Sequence, residues 1–310
     1  MIHLICPNPA LDRTIIVDQL KKEIPNRPKE VRDFPGGKSF NVAYALRERG
    51  QADYCIHTIL GGPIGAYIQA LNTERQNPLV LTQHDRNTRI CTIYLEEATG
   101  QVVLVYEKGL ELTESLLTAF TDRLKESLSP GDFVVFSGSL MAGMPDDYIR
   151  RFIDEHPEVH TIVDTSGAAL VQAYQAQPSL IKINNEELKD IYPDLDEQDP
   201  TAIENLLRHQ VPHENLIVTL GSKGSLAKIG KRIFRVQSPK KITRNPIASG
   251  DFYLGVLVKG LVQNEAPEIY LAEAAAFATA NCLNDFPEVH PHQFLSVLQE
   301  VAVEELANPS

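Results

Sequence analysis

Short apolar, β-branched runs alternate along this chain with longer amphipathic stretches. Phe133-Val134-Val135-Phe136, Thr161-Ile162-Val163-Asp164, Leu180-Ile181-Lys182-Ile183 and Leu216-Ile217-Val218-Thr219-Leu220 read as buried strands, each bounded by turn or cap residues. Between them the pattern predicts helices over 113–128, with Thr113 as N-cap, 146–155 and 200–209. Repeated strand–helix units of this kind predict an α/β fold with a mainly parallel sheet. Segments near 12–18, 29–35 and 88–106 differ. Arg89–Leu95 and Gln101–Tyr106 flank a Glu-Ala-Thr-Gly turn and predict a hairpin, which fits a small antiparallel lid over one edge better than the interior of a parallel sheet.

At 310 residues the chain has length for one large α/β domain or two smaller ones, and its 43% hydrophobic content supports a substantial core. No internal repeat or interdomain linker divides it. The net charge of −12 argues against a nucleic-acid or membrane-surface partner, and an anionic substrate would have to be held by a few placed cations and backbone N–H groups. Residues 1–6 read as a first strand rather than a leader, and Cys6, Cys55, Cys91 and Cys282 are scattered, with no metal-ligand spacing. Buried free thiols and a cytoplasmic location are expected.

Candidate chemistry concentrates in a few turns. Asn245-Pro246-Ile247-Ala248-Ser249-Gly250-Asp251 enters an apolar helical run. Small residues there let several N–H groups point one way, and the helix dipole adds positive charge suited to a phosphate. Asp251 at its mouth is either a helix cap or a general base. Pro35-Gly36-Gly37-Lys38-Ser39-Phe40-Asn41 precedes a helix over 41–49 and is either a plain turn or a ligand loop with a cation, though not a P-loop. Asn8–Asp12 follows the first strand and either turns the chain or meets a polar ligand. Gly221-Ser222-Lys223-Gly224 is either a hairpin turn or a nucleotide contact. Asn184 and Glu187 fit a capping box, a role compatible with Glu187 holding hydrated Mg²⁺. Arg89 opens the hairpin, as a solvent-facing residue or a phosphate clamp.

Taken together, Asn8–Asp12, Gly36-Gly37-Lys38 with Asn41, Thr88-Arg89, Ser137-Gly138-Ser139, Asn184-x-x-Glu187, Gly221-x-x-Gly224 and Ser249-Gly250-Asp251 run in an order that resembles the ribokinase-like phosphofructokinase-B sugar kinases. The chain is most similar to their hexose-phosphate branch, 1-phosphofructokinase and tagatose-6-phosphate kinase, over roughly residues 1 to 285. The resemblance implies a single ribokinase-like α/β domain over 1–310, with a lid formed by about 12–36 and 86–108.

The implied activity is ATP- and Mg²⁺-dependent phosphorylation of a ketohexose phosphate. Fructose 1-phosphate is the first expectation, tagatose 6-phosphate the second, and a catalytically weakened binding protein the alternative. The resemblance implies Asp251 as base, with Ala248, Ser249 and Gly250 forming the anion hole. It places the sugar at Asp12, Gly37, Asn41 and Ser139, and its phosphate at Lys38 and Arg89. Nucleotide contacts are implied at Asn184, Thr219, Gly221, Ser222, Gly224, Gly250 and Asn281, with Mg²⁺ held through water by Glu187. A homodimer paired through the lid edges is a further expectation.

Three departures from the family pattern stand out. Ala248 replaces a glycine, Phe252-Tyr253 replace small residues after the base, and the lid exit reads Tyr106-Glu107-Lys108-Gly109-Leu110. If position 248 takes a positive φ, its methyl group costs about 1 kcal/mol or more.

Overall fold

The computed structural model describes residues 1–307. In chain order the strands are β1 (Ile2–Cys6), β2 (Ala10–Val17), β3 (Glu30–Gly36), β4 (Tyr54–Gly61), β5 (Leu79–His84), β6 (Arg89–Glu96), β7 (Val102–Tyr106), β8 (Phe133–Ser137), β9 (His160–Asp164), β10 (Leu180–Asn184), β11 (Asn215–Thr219), β12 (Ser225–Ile229), β13 (Arg232–Gln237) and β14 (Ala302–Leu306). The helices are α1 (Lys38–Glu48), α2 (Gly62–Glu74), α3 (Glu114–Ser127), α4 (Tyr148–Glu155), α5 (Gly167–Gln175), α6 (Asn185–Ile191), α7 (Pro200–His209), α8 (Ser249–Val262), α9 (Pro267–Asn281) and α10 (Pro291–Leu298). The four anticipated interior strands form within a residue of their predicted limits. Thr113 caps α3 by accepting from the Leu116 N–H.

Ten strands make the main sheet in the order β14-β13-β12-β11-β10-β9-β8-β1-β4-β5. From β5 to β11 all neighbours are parallel, and β12, β13 and β14 add an antiparallel edge. The parallel strands are buried on both faces, which is why they read as near-continuous apolar runs. One face packs on α1, α8, α9 and α10 through Leu4, Val135, Ile162 and Ile217. The other packs on α3, α4, α6 and α7 through Ile5, Phe136, Val163 and Ile183. The chain goes from β1 outward to β4 and β5, then returns to β8 on the opposite side of β1. In such sheets that reversal opens a crevice at the strand C-termini.

The second sheet, β3-β2-β6-β7, stands apart from the first. It is not wholly antiparallel as expected. Its central pair β2–β6 is parallel, with antiparallel strands outside it. The reason is topological: β2 follows β1 and β6 follows β5, so both leave the same edge of a parallel sheet in one direction. Ile16, Ile93 and Leu95 pack this sheet onto Phe286. On its outer strand, Leu104, Val105 and Tyr106 are exposed. No helix among the described residues is long and apolar enough to cross a membrane.

Gly255 sets the distance between α1 and α8. A Cβ there would lie 2.6 Å from the Ala45 Cβ and 2.8 Å from the Val42 carbonyl oxygen, so only glycine permits the close crossing. The crossing aligns the N-terminal turns of the two helices, which carry Asn41 and Asp251.

Candidate active site

A cavity of 1060 Å³ lies over the C-terminal ends of β1, β8, β10 and β11, between the two sheets. Its lining brings together Asp12, Gly37, Lys38, Asn41, Arg89, Ser139, Asn184, Glu187, Thr219, Gly221, Ser222, Gly224, Ala248, Ser249, Gly250 and Asp251, nearly the whole set singled out in the sequence.

Asp251 is 8% exposed, in the first turn of α8, and its Oδ2 accepts from Asn41 Nδ2–H at 2.9 Å. Burial pushes its pKa up to about 6, with Lys38 pulling down and Asp164 adding to the rise. It therefore ionises just below neutral pH, where a base that takes a hydroxyl proton works best. Asp251 does not cap its helix, since α8 has no side-chain cap; Ala248 occupies the N-cap at φ 67° and ψ −4°. The left-handed conformation feared for Ala248 is therefore present. The Ser249 N–H donates to the Pro246 carbonyl at 3.3 Å, so it is not left open for the anion hole expected of it, and the Phe252 N–H donates to the Ala248 carbonyl at 2.8 Å. Helix geometry leaves the intervening Gly250 and Asp251 N–H groups without an intrahelical acceptor, and both residues line the cavity.

Beneath this turn lies a chain of charges. Asp164 ends β9 with no exposed surface, accepting from Lys182 Nζ and from Lys38 Nζ, each at 2.6 Å. Complete burial opposes its charge, but Lys182 and Lys38 overcome that and hold its pKa below the usual range. Burial likewise works against Lys38, and Asp164, Asp251 and Glu187 outweigh it, so its pKa is raised. Lys38 Nζ is 3.9 Å from Glu187 Oε1. These pairs hold Lys38, for which the sequence suggested a phosphate clamp, against Asp164 and toward Glu187. Lys182 and Asp164 were given no role from sequence. The signal was a lysine inside the apolar strand Leu-Ile-Lys-Ile, since a charge is buried in such a place only when paired.

Asn184 and Glu187 form the anticipated capping box. The Glu187 N–H donates to Asn184 Oδ1, and the Asn184 N–H to Glu187 Oε2, both at 2.8 Å. Oε1 of Glu187 is left toward Lys38, and burial raises the pKa of this carboxyl. Gly221–Lys223 is a single 3₁₀ turn joining β11 to the antiparallel β12, so it is a hairpin turn that also lines the cavity.

On the side of the second sheet, the Asp12 carboxyl lies against Gly36, where a Cβ would come within 2.3 Å of its Cγ. Burial and the neighbouring Asp251 raise its pKa to about 7, against Arg89 and the Gly37 N–H. Arg89 donates to the carbonyls of Asn8 at 3.1 Å and Pro9 at 3.3 Å, tying β6 to the segment between β1 and β2. Ser139 Oγ accepts from Asn8 Nδ2–H at 3.1 Å. A smaller recess of 520 Å³ adjoins Arg89 and carries Arg86 and Lys108. Cys6 borders the main cavity as an inert thiol, its pKa pushed up to about 12 by burial.

Asn281 does not line the cavity. It is 1% exposed, and its amide donates to the Ile247 carbonyl at 2.7 Å and Ser249 Oγ at 3.0 Å. In place of the expected nucleotide contact it braces the turn before α8. Phe252 is fully buried, stacked on Tyr44 with ring centroids 5.0 Å apart, and does not narrow the site. Tyr253 borders the cavity with its hydroxyl 3.0 Å from Ser225 Oγ. At the lid exit, Glu107 Oε2 accepts the Ile90 N–H at 2.8 Å and closes the β6–β7 ladder.

Residues 8–285 match the model of the pfkB family carbohydrate kinases. Among solved structures the fold is similar to phosphofructokinase-2 from Escherichia coli, solved with substrates and products, at TM-score 0.89 and 23% identity over 96% of this chain and 98% of that one. It is also similar to a possible 1-phosphofructokinase from Thermotoga maritima, at 0.88 and 19% over 99% and 100%. Ribokinase from Thermotoga maritima follows at 0.72 and 20% over 96% and 99%.

Proposed function

The chain belongs to the pfkB family of carbohydrate kinases, and from that premise we propose that it transfers the terminal phosphoryl group of ATP to a ketohexose phosphate. As a family member it is a phosphotransferase with an alcohol group as acceptor. The observation that carries the finer reading is the meeting of Asp251, Asn41 and the unpaired N–H groups of α8 on the floor of one cavity between two sheets.

Asp251 takes the proton of the attacking hydroxyl while Asn41 holds its carboxylate in place. The Gly250 and Asp251 N–H groups, at the positive end of the α8 dipole, receive the charge that spreads over the transferred phosphoryl oxygens. Lys38 flanks that position, and Lys182 with Asp164 fixes the direction of its charge. Phosphoryl transfer needs positioning and charge neutralisation more than covalent chemistry, and these are the groups assembled here.

Asp12, Gly37, Asn41 and Ser139 are assigned to sugar hydroxyls, and Arg89 to the existing phosphate of the acceptor. The adjoining recess, lined by Arg86, Arg89 and Lys108 against Asp85 and Glu107, keeps a net positive charge that favours a phosphorylated acceptor. The nucleotide is assigned to the stretch lined by Thr219, Gly221, Ser222 and Gly224, where Ala275 and Ala278 leave an apolar floor. Glu187 fits Mg²⁺ through water, because Oε2 is committed to the capping box and Oε1 is not. When bound, Mg²⁺ neutralises and orients the phosphates.

Fructose 1-phosphate is the proposed acceptor, with tagatose 6-phosphate second, from the hexose-phosphate character of the Asn-Pro-Ala-Leu-Asp and Gly-Gly-Lys-Ser-Phe-Asn motifs. The exposed apolar strand β7 supports pairing of two copies through the second sheet. The test is ADP release with ATP and Mg²⁺ over fructose 1-phosphate, tagatose 6-phosphate, fructose 6-phosphate and fructose. Turnover on a phosphorylated ketohexose, abolished in Asp251→Asn, supports the proposal. ATP binding without turnover on any of them overturns it in favour of a binding protein.

A further inference from the structure

A second polar cluster lies toward the opposite, N-terminal edge of the main sheet. In the parallel register His3 of β1 sits beside Cys55 of β4, and Ile5 beside His57. Alternate residues of a strand share a face, so His3, Cys55 and His57 emerge on one side of the sheet. That is the side covered by α3, whose last residue, Ser127, has its Oγ 3.5 Å from His57 Nε2. The four cysteines show no ligand spacing in sequence. The pairing of strands fifty residues apart supplies the neighbours that spacing could not reveal.

Three atoms converge there. His3 Nδ1 and His57 Nε2 are 3.1 Å apart, and Cys55 Sγ is 3.4 Å from the first and 3.3 Å from the second. Tetrahedral Zn²⁺, with bonds of about 2.0–2.1 Å to nitrogen and about 2.3 Å to sulfur, needs ligand–ligand edges of roughly 3.3–3.6 Å. The observed triangle is therefore within a few tenths of an ångström of a metal-binding face. His3 Nε2 lies 3.1 Å from Asp132 Oδ2, which also accepts the Ser129 N–H at 2.8 Å. A carboxylate on the far ring nitrogen fixes the tautomer, leaving the Nδ1 lone pair turned to the triangle, as it does behind metal-bound histidines. Burial is nearly complete, at 0% for His3, 1% for His57 and 7% for Cys55. Cys55 as thiolate brings one negative charge toward a dication, while the Asp132 carboxylate behind His3 is already shared with the Met1 ammonium at 2.7 Å.

We propose that His3, Cys55 and His57 form a Zn²⁺ site, with Asp132 orienting His3 and a water beside Ser127 in the fourth position. On binding, Cys55 releases its thiol proton to solvent and both imidazoles bind through neutral nitrogens. The site joins β1 to β4 at the end of the sheet away from the cavity. Bound metal therefore raises the thermal midpoint by mass action.

The test uses the full chain, reduced, stripped of metal and held in excess Mg²⁺ so that oxygen-ligand sites are filled. It is titrated with Co²⁺ and then Zn²⁺. The expected result is one Co²⁺ per chain with thiolate-to-cobalt charge-transfer absorption and the intense visible bands of four-coordinate cobalt, both displaced by Zn²⁺. Cys55→Ala should lose the charge-transfer band, and Cys6→Ala should keep it. Asp132→Asn should keep the band while weakening affinity about 10–100-fold, which preserves the test if Cys55→Ala fails to fold. Absence of the band in the unaltered chain, or an undiminished band in Cys55→Ala, overturns the assignment. A hydrogen-bonded cluster without metal affinity is then the reading that stands.

Discussion

Replacing Asp251 with asparagine removes a titratable carboxyl from a site 8% exposed, yet keeps an oxygen for Asn41 to donate to. The structure sets both sign and size of the effect on stability. Burial raises this carboxyl from its ordinary 3.8 to about 6 in the folded protein. Below pH 3.8 it is protonated in both folded and unfolded states and costs nothing. Between 3.8 and about 6 the unfolded chain ionises first, so the folded state falls behind as pH rises, and above 6 the full cost is present. Each pH unit in that interval is worth about 1.4 kcal/mol, so the ionised carboxylate costs the folded protein on the order of 3 kcal/mol at pH 8, and about half of that at pH 5.

Asp251→Asn should therefore be the more stable protein by that amount at pH 8, with the gain fading toward pH 4. Its kcat should meanwhile fall about 10²–10⁴-fold. Urea unfolding of the nucleotide-free protein at pH 8, 6 and 4.5, beside turnover with ATP and the accepted sugar phosphate, measures both. A variant no more stable at pH 8, or one whose gain is the same at every pH, would refute the reasoning. The first result would show that the carboxylate is satisfied where it stands, and the second that the effect is packing.

The same carboxyl predicts an acid limb in kcat/KM, with activity falling as pH drops below about 6 to 7, where Asp251 and the neighbouring Asp12 take up protons as a coupled pair. Asn41→Ala should move that limb to higher pH, since the amide favours the ionised form; a limb that stays put assigns it to another group. Ala248→Gly relieves a backbone penalty of about 1–2 kcal/mol at φ 67° against about 0.5–1 kcal/mol of glycine entropy, so unfolding should be harder by roughly 0.5–1 kcal/mol; a loss would mean that the methyl packs better than its backbone suffers. Arg89→Ala should weaken the phosphorylated acceptor by about 1.5–3 kcal/mol, seen in KM more than kcat, while ATP binding is kept; equal loss for both substrates would reduce Arg89 to a tie from β6 to the segment between β1 and β2. Charged replacements of Leu104 and Val105 should leave monomers in sedimentation experiments, and an unchanged assembly state would move the interface elsewhere.

Local pattern carried much of this fold. Parallel strands covered on both faces are apolar over most of their length, so Phe133–Ser137 and its neighbours could be bounded to within a residue. The capping box at Asn184 and Glu187 is chemistry at three-residue range and was legible for the same reason. The second sheet was harder. Its hairpin β6–β7 is local, but the direction in which β2 meets β6 depends on where β1 and β5 end, which no window of sequence contains. Strands β12, β13 and β14 pair antiparallel at the sheet edge, and β14 arrives from beyond α10, a separation that periodicity cannot span.

The site divides along the same line. Asp251, Ser249 and Gly250 were visible because turn chemistry at a helix end marks them residue by residue, whereas Asn41 came from the resemblance alone and Asp12, expected in a turn, stands inside β2. Lys38 was visible as a cation beside glycines, but its direction was not. That direction is set by Asp164, one hundred and twenty-six residues away, which is itself held by Lys182. Lys182 is tolerated in a buried strand because Asp164 is there to meet it, and Asp164 is tolerable without solvent because both lysines reach it. Each looks like an error in a buried strand when read alone. The three make sense once β9 and β10 lie side by side and α1 begins above them, so the buried network is a product of topology in a way the helix-end turn is not. At the far edge of the sheet the pairing of β1 with β4 likewise brings His3, Cys55 and His57, far apart or unpatterned in sequence, into one converging set.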